Sequence, residues 1–253
     1  MPRGLDLYLA AMGRSGSTLL CDLYSHYPSR WLMSEPWIVR GAYGVALRQR
    51  ASTLGFDIPD KDWYAKIAGE APLDRFWRVY GEIVGSLEFF GAKEVRCEFH
   101  EEYYRLMHPR KVLILVRDIR DVIISLIEKA EIENKEGYDL AFVSQYLRDN
   151  CRGLIEFYNA VTGGEVEVLK YEEFSTSEER RKQIDRFIGH GRIESIPETG
   201  SNVSIRPWEI ERHGLTVSDK SVNRYRRESN INWVDFYNEI ADCKHFNEFY
   251  EFE

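Results

Sequence analysis

The sequence predicts an α/β fold in which a central parallel sheet is flanked by helices and interrupted by a helical insertion. Two short, nearly continuous apolar runs, Leu5 to Met12 (LDLYLAAM) and Lys111 to Val116 (KVLILV), suit strands buried on both faces of a parallel sheet. Such runs alternate with stretches of helical periodicity, which is the pattern of βαβ units. A Gly- and Ser-rich segment, Gly13 to Thr18, stands at the first strand-to-helix junction.

Leu5 to Met12 is the first strand, bounded by Gly13, and Thr18 to Tyr27 reads as a helix closed by Pro28. Trp31 to Met33 offers a second short strand that ends at Ser34-Glu35-Pro36. From Trp37 to about Gly91 the text turns helical, with Leu73, Phe76, Trp77, Tyr80, Ile83, Val84 and Leu87 at three- and four-residue spacing. Lys93 to Phe99 and Lys111 to Val116 resume the strands. Asp121 to Glu131 and Tyr138 to Val161 read as helices, and a fifth strand follows near Val166 to Lys170. After Gly189 the composition shifts to Gly, Ser, Pro, Arg and Asn, which predicts a long loop that orders on binding, then a short C-terminal helix. All 253 residues are expected to form one domain, with the insertion at about 37–91 and a basic loop at about 200–228.

The segment Gly13-Arg14-Ser15-Gly16-Ser17-Thr18 lies where backbone N–H groups and a helix dipole make an anion site, so the fold is expected to be of the P-loop nucleotide-binding type. It lacks the Lys-Ser/Thr ending of a Walker A motif, and Arg14 supplies the positive charge instead. Taken alone, it also reads as an ordinary turn with Ser17 or Thr18 capping the helix. A second anion site is suggested by Arg117-Asp118-Ile119-Arg120-Asp121 and Ser125. Arg117 stands at the carboxyl edge of a buried strand, where open α/β sheets bind ligands, and Ser125 follows two helical turns later. The alternative is that Arg117 merely pairs with Asp118 or Asp121.

Together these segments resemble the sulfotransferase family, whose members use 3′-phosphoadenosine 5′-phosphosulfate (PAPS). The resemblance rests on the R-S-G-S/T-T loop (Arg14 to Thr18), the R-D-x-R-D-x-x-x-S pattern (Arg117 to Ser125) and the Tyr-Glu-Glu after the fifth strand (Tyr171 to Glu173). It implies that Arg14, Ser15, Gly16, Ser17 and Thr18 hold the 5′-phosphosulfate, that Arg117 and Ser125 hold the 3′-phosphate, and that Tyr171 belongs to the nucleotide site. It also implies that a late basic loop with Lys220, Ser221 and Arg224 closes over that phosphate. An arginine at position 14 is similar to the carbohydrate-directed and bacterial members. Residues 206–227 hold six basic and three acidic side chains, so the chain's net charge of −8 divides into a +3 loop and a −11 remainder, which suits a small polyanionic ligand.

Sulfuryl transfer needs in-line positioning, stabilisation of charge on the departing oxygen and a base for the acceptor hydroxyl; a metal is not required in principle. Arg14 is the candidate for charge stabilisation, with Ser17 and Thr18 assisting. Two residues compete as base. Glu35 follows the second strand, where the resemblance places a glutamate in carbohydrate-type members, and it would need a pKa raised by burial. His100 follows the third strand, close to where cytosolic members carry a histidine; Glu35 is preferred. Eleven aromatic residues from Trp31 to Phe90 either line a sugar- or lipid-contacting cleft or simply pack the insertion. The expected acceptor is a small-molecule hydroxyl, on a carbohydrate or glycolipid.

Composition narrows the remaining classes. With 42 acidic against 34 basic residues the chain is a poor nucleic-acid binder. Cys21, Cys97, Cys151 and Cys243 form no C-x-x-C pair, which argues against a zinc site and for a reducing, cytoplasmic setting. No apolar run reaches the ~18 residues of a membrane span, and Leu5 begins a strand-like run in place of a leader's charged and apolar regions. Two rivals remain: a P-loop kinase using ATP and magnesium, disfavoured by the missing Lys-Ser/Thr ending, and a binding module that keeps the nucleotide site without turnover.

Overall fold

A computed structural model of the chain describes residues 4–26, 28–36, 38, 69–133, 140–196, 216–227 and 233–252. Five parallel strands form one sheet: β1 (Leu7–Ala11), β2 (Arg30–Ser34), β3 (Phe89–Glu94), β4 (Lys111–Val116) and β5 (Glu165–Lys170), in the order β2-β3-β1-β4-β5. The chain leaves β1 towards one edge of the sheet and returns from β3 across β1 to β4. The order therefore switches direction at β1, and a crevice opens outside its carboxyl end.

Helices cover both faces, as a parallel sheet requires. Along β1, Leu7, Leu9 and Ala11 meet α1 (Ser17–Tyr24), α6 (Tyr171–Thr176) and α7 (Glu178–Ile188) through Leu20, Cys21, Phe174, Ile184 and Ile188. Tyr8, Ala10 and Met12 face the larger core built by α2 (Pro72–Ser86), α3 (His100–Met107), α4 (Ile119–Glu133), α5 (Leu140–Ala160) and α9 (Ala241–Phe249). In α2 the residues Phe76, Tyr80 and Val84 recur at four-residue spacing and are buried, each worth roughly 1.5–3 kcal/mol of apolar burial. A short α8 (Trp233–Glu239) leads into α9.

Several boundaries differ from the sequence expectation. The third strand runs from Phe89 to Glu94 and not from Lys93 to Phe99, so the helical insertion ends before Gly91. Phe89 and Phe90 continue the apolar spacing of α2, and this hid the strand's start. Gly91 lies between neighbouring strands where a Cβ would come within 2.6 Å of Leu32 Cδ1 and 2.9 Å of the Leu7 carbonyl oxygen, which is close-packed strand geometry. Cys97 to Phe99 form a 3₁₀ turn, so His100 begins a helix and does not directly follow a strand. Helix α1 stops at Tyr24, before Tyr27, because Ser25 is extended and its Oγ accepts the Leu32 N–H at 3.1 Å. The chain's end holds two helices where one short helix was expected. Residues 37, 39–68 and 197–215, which carry much of the insertion and the first part of the basic loop, lie outside the described residues.

Candidate active site

The loop after β1 turns sharply into α1. Arg14 and Gly16 have positive φ, 71° and 92°, and Gly16 is the N-cap of α1. No side chain caps the helix, so the turn reading with Ser17 or Thr18 as cap is not what forms. The first-turn N–H groups thus lack intrahelical acceptors and stand at the positive end of the dipole. Ser15 Oγ instead donates to the Met12 carbonyl at 2.7 Å and pins the loop to the strand. Gly16 also lies against the ring of Tyr171, the first residue of α6, where a Cβ would come within 2.3 Å of Cε2.

The second predicted site meets the first directly. Arg14 Nε donates to Ser125 Oγ at 3.0 Å, and Arg117 Nη1 donates to the Arg14 carbonyl at 3.0 Å. Arg117 is 4% exposed and its guanidinium carbon lies 4.8 Å from the Tyr171 ring centre. Its Nη2 donates to the Ser221 carbonyl and reaches Asp121 Oδ2 at 3.5 Å, while its buried Nε has no hydrogen-bond partner among the described residues. Asp118 is engaged elsewhere, by Arg120 at 2.5 and 2.8 Å.

The late basic loop closes this side. Ser221 Oγ and Tyr171 Oη are 2.7 Å apart, Arg224 Nη2 donates to Glu128 Oε1 at 2.8 Å, and the Tyr225 N–H donates to Asp121 Oδ1 at 3.1 Å. Thus Arg14, Ser15, Gly16, Ser17, Thr18, Arg117, Ser125, Tyr171 and Ser221 come together, with Arg224 on the flank of α4. Lys220 is exposed on the loop, and its carbonyl accepts from Arg227 at 2.9 Å.

The two candidate bases have different surroundings. Glu35, at the carboxyl end of β2, adopts φ 50° and its carboxylate pairs with Lys93 Nζ at 2.6 Å. His100 is fully buried, with Nδ1 2.7 Å from Tyr8 Oη and its ring against Phe157. Burial pushes the His100 pKa down to about 3, against the smaller opposing effect of the Ala11 carbonyl, so the ring is neutral. Burial likewise raises Glu172, whose Oε1 accepts the Asp118 N–H at 3.1 Å, to about 7; nearby Arg117 opposes the rise.

Two contacts escaped sequence reasoning. Tyr146 on α5 places its hydroxyl 2.7 Å from the Gly13 N–H, across 133 positions of sequence, and no local pattern marks it. Lys93 is a buried cation inside β3; a lysine in the run Phe89 to Glu94 would have stood out had the strand been placed there.

Solved structures of two enzyme domains share this architecture over nearly the whole chain. The sulfotransferase domain of the Synechococcus PCC 7002 olefin synthase is 14% identical and aligns over 99% of this chain and 96% of its own, with a TM-score of 0.65. This chain has the sulfotransferase fold. A second sulfotransferase domain, from the curacin biosynthetic pathway, is 13% identical and aligns over 100% and 99% of the two chains, with a TM-score of 0.55. No protein-family model and no curated protein sequence matches the chain. On this sulfotransferase fold, the described residues contain no helix long and apolar enough to cross a membrane and no cluster of three or more metal-ligating side chains.

Proposed function

We propose that this chain is a PAPS-dependent sulfotransferase that moves a sulfuryl group to a hydroxyl of a small-molecule acceptor, a carbohydrate or glycolipid. The observation that carries the reading is the double link through Arg14, whose side chain binds Ser125 while its carbonyl binds Arg117. The two segments proposed to bind the phosphates are thereby joined directly to each other.

The residues fit such a donor. The uncapped start of α1 offers N–H groups, Gly16 leaves the loop without a side chain there, and Arg117 carries a buried Nε with no partner among the described residues. Arg14 to Thr18 would hold the 5′ end, and Arg117 and Ser125 the 3′-phosphate, with Tyr171, Ser221, Arg224 and Lys220 closing over it. When bound, PAPS supplies an activated sulfuryl group on a phosphate leaving group. Arg14 and Arg117 contribute the positive charge that a preorganised site needs. Glu35 takes the acceptor hydroxyl's proton on its carboxylate: in place of the burial expected for a base at this position, its side chain is 38% exposed and paired with Lys93, so it can meet an acceptor, whereas His100 is sealed in the core.

The test is transfer of labelled sulfuryl from PAPS to a panel of sugars, glycolipids and phenols. Wild type is expected to label a carbohydrate or glycolipid, Glu35→Gln to lose at least ~100-fold in turnover, and His100→Gln to stay within a few-fold. No transfer from wild type to any acceptor, or full activity in Glu35→Gln, would overturn the reading. Tighter binding of magnesium ATP than of 3′-phosphoadenosine 5′-phosphate would point to a kinase.

A further inference from the structure

Lys93 is the most deeply buried cation beside the site. It lies in register with Leu9 of β1 and Ser34 of β2, on the sheet face that packs against α1, and is 1% exposed. A charge sealed in apolar surroundings is costly unless it is paired. Burial alone would lower the lysine's pKa; the Glu35 carboxylate, with smaller effects of Cys21 and Glu94, reverses this and holds it above its ordinary value.

Glu35 is held by Lys93 twice. Its backbone N–H donates to the Lys93 carbonyl at 2.8 Å, and its Oε1 accepts from Lys93 Nζ at 2.6 Å. Glu35 itself sits at φ 50°, a left-handed conformation that non-glycine residues rarely adopt, at the point where it meets Lys93. The pair is also one-sided, with a sealed cation and a carboxylate that solvent reaches. A pair serving stability alone has no need of that asymmetry, since an apolar side chain of similar volume often replaces a buried ion at no loss. A base needs it: the carboxylate must be both fixed and accessible.

We propose that Lys93 is a positioning residue, whose buried ammonium fixes the orientation of the Glu35 carboxylate for proton transfer. The inference rests on the proposed sulfuryl transfer, and Lys93 acts through Glu35 without touching the nucleotide. Lys93→Met is then expected to lower kcat about 10- to 100-fold, to leave the Kd for 3′-phosphoadenosine 5′-phosphate within twofold, and to keep or raise Tm. In a Glu35→Gln background the same substitution should cost less than a further twofold, because the two residues act as one unit. Normal kcat in Lys93→Met, an equal loss in both backgrounds, or a parallel loss of nucleotide affinity would overturn the proposal.

A readout independent of turnover is the ammonium resonance of Lys93 in NMR. In wild type the ion pair should slow its hydrogen exchange enough for the signal to persist, and Glu35→Gln should abolish it. An unchanged signal in Glu35→Gln would overturn the positioning role even if Lys93→Met failed to fold. Absence of sulfuryl transfer in wild type, alongside a Glu35-dependent signal, would instead refute the proposed activity and leave the pairing established.

Discussion

Gly16→Ala is the sharpest test of how the loop after β1 is built. Gly16 sits at φ 92°, a region that costs a side chain about 1–2 kcal/mol. An added Cβ would also come within 2.3 and 2.4 Å of Tyr171 Cε2 and Cδ2, so the ring must move. Moving it forfeits the 2.7 Å hydrogen bond to Ser221 Oγ, about 0.5–1.5 kcal/mol, and the 4.8 Å contact with Arg117, about 0.5–1 kcal/mol. The substitution should therefore cost about 2–4.5 kcal/mol, read as a lower urea midpoint at constant m-value. In a Tyr171→Ala background the ring is absent and only the backbone cost of about 1–2 kcal/mol should remain. Equal costs in both backgrounds would refute the packing of the loop against Tyr171.

Other consequences follow from single contacts. Glu172 is held up from 4.5 to about 7 by burial, so the folded chain keeps a proton that the unfolded chain has released, and stability should fall as pH rises through that window. At about 1.4 kcal/mol per pH unit, discounted for partial solvation, Glu172→Gln should be on the order of 2 kcal/mol more stable than wild type above pH 7.5 and equal to it near pH 4. Parallel Tm curves for the two proteins between pH 4 and 8 would contradict this. Tyr146→Phe removes the acceptor of the Gly13 N–H and should cost about 1–3 kcal/mol in urea unfolding, with weaker binding of 3′-phosphoadenosine 5′-phosphate. An unchanged nucleotide affinity would show that this tether does not shape the loop.

Much of the fold was legible because β1 is apolar throughout, β4 is apolar after Lys111, and the glycine-containing loop punctuates the first junction. That the two segments proposed as anion sites meet could be anticipated because each lies within a few residues of a strand's end, where position along the chain dictates position in space. The third strand was misplaced because Phe89 and Phe90 fit a helical and an extended pattern equally well, and tertiary packing decided between them. His100 is the second candidate base from its place in the sequence, and its burial against Tyr8 and Phe157 comes from β1 and α5, which no local pattern reports. Lys93 was hidden for the same reason as its strand. Tyr146 was hidden because a long-range contact between a helix and a loop leaves no spacing to read.

The most direct test of the account is the affinity of the chain for 3′-phosphoadenosine 5′-phosphate against adenosine 5′-phosphate, measured by calorimetry in wild type and Arg117→Ala. A charge-assisted contact to the 3′-phosphate worth about 1.5–3 kcal/mol predicts that wild type prefers the 3′-phosphorylated nucleotide by roughly 10- to 150-fold. Arg117→Ala should erase most of that preference, with a smaller loss of affinity for adenosine 5′-phosphate because the Arg14 carbonyl also loses its donor. Equal binding of both nucleotides by wild type, or an equal loss for both in Arg117→Ala, would contradict the assignment of Arg117 to a second phosphate.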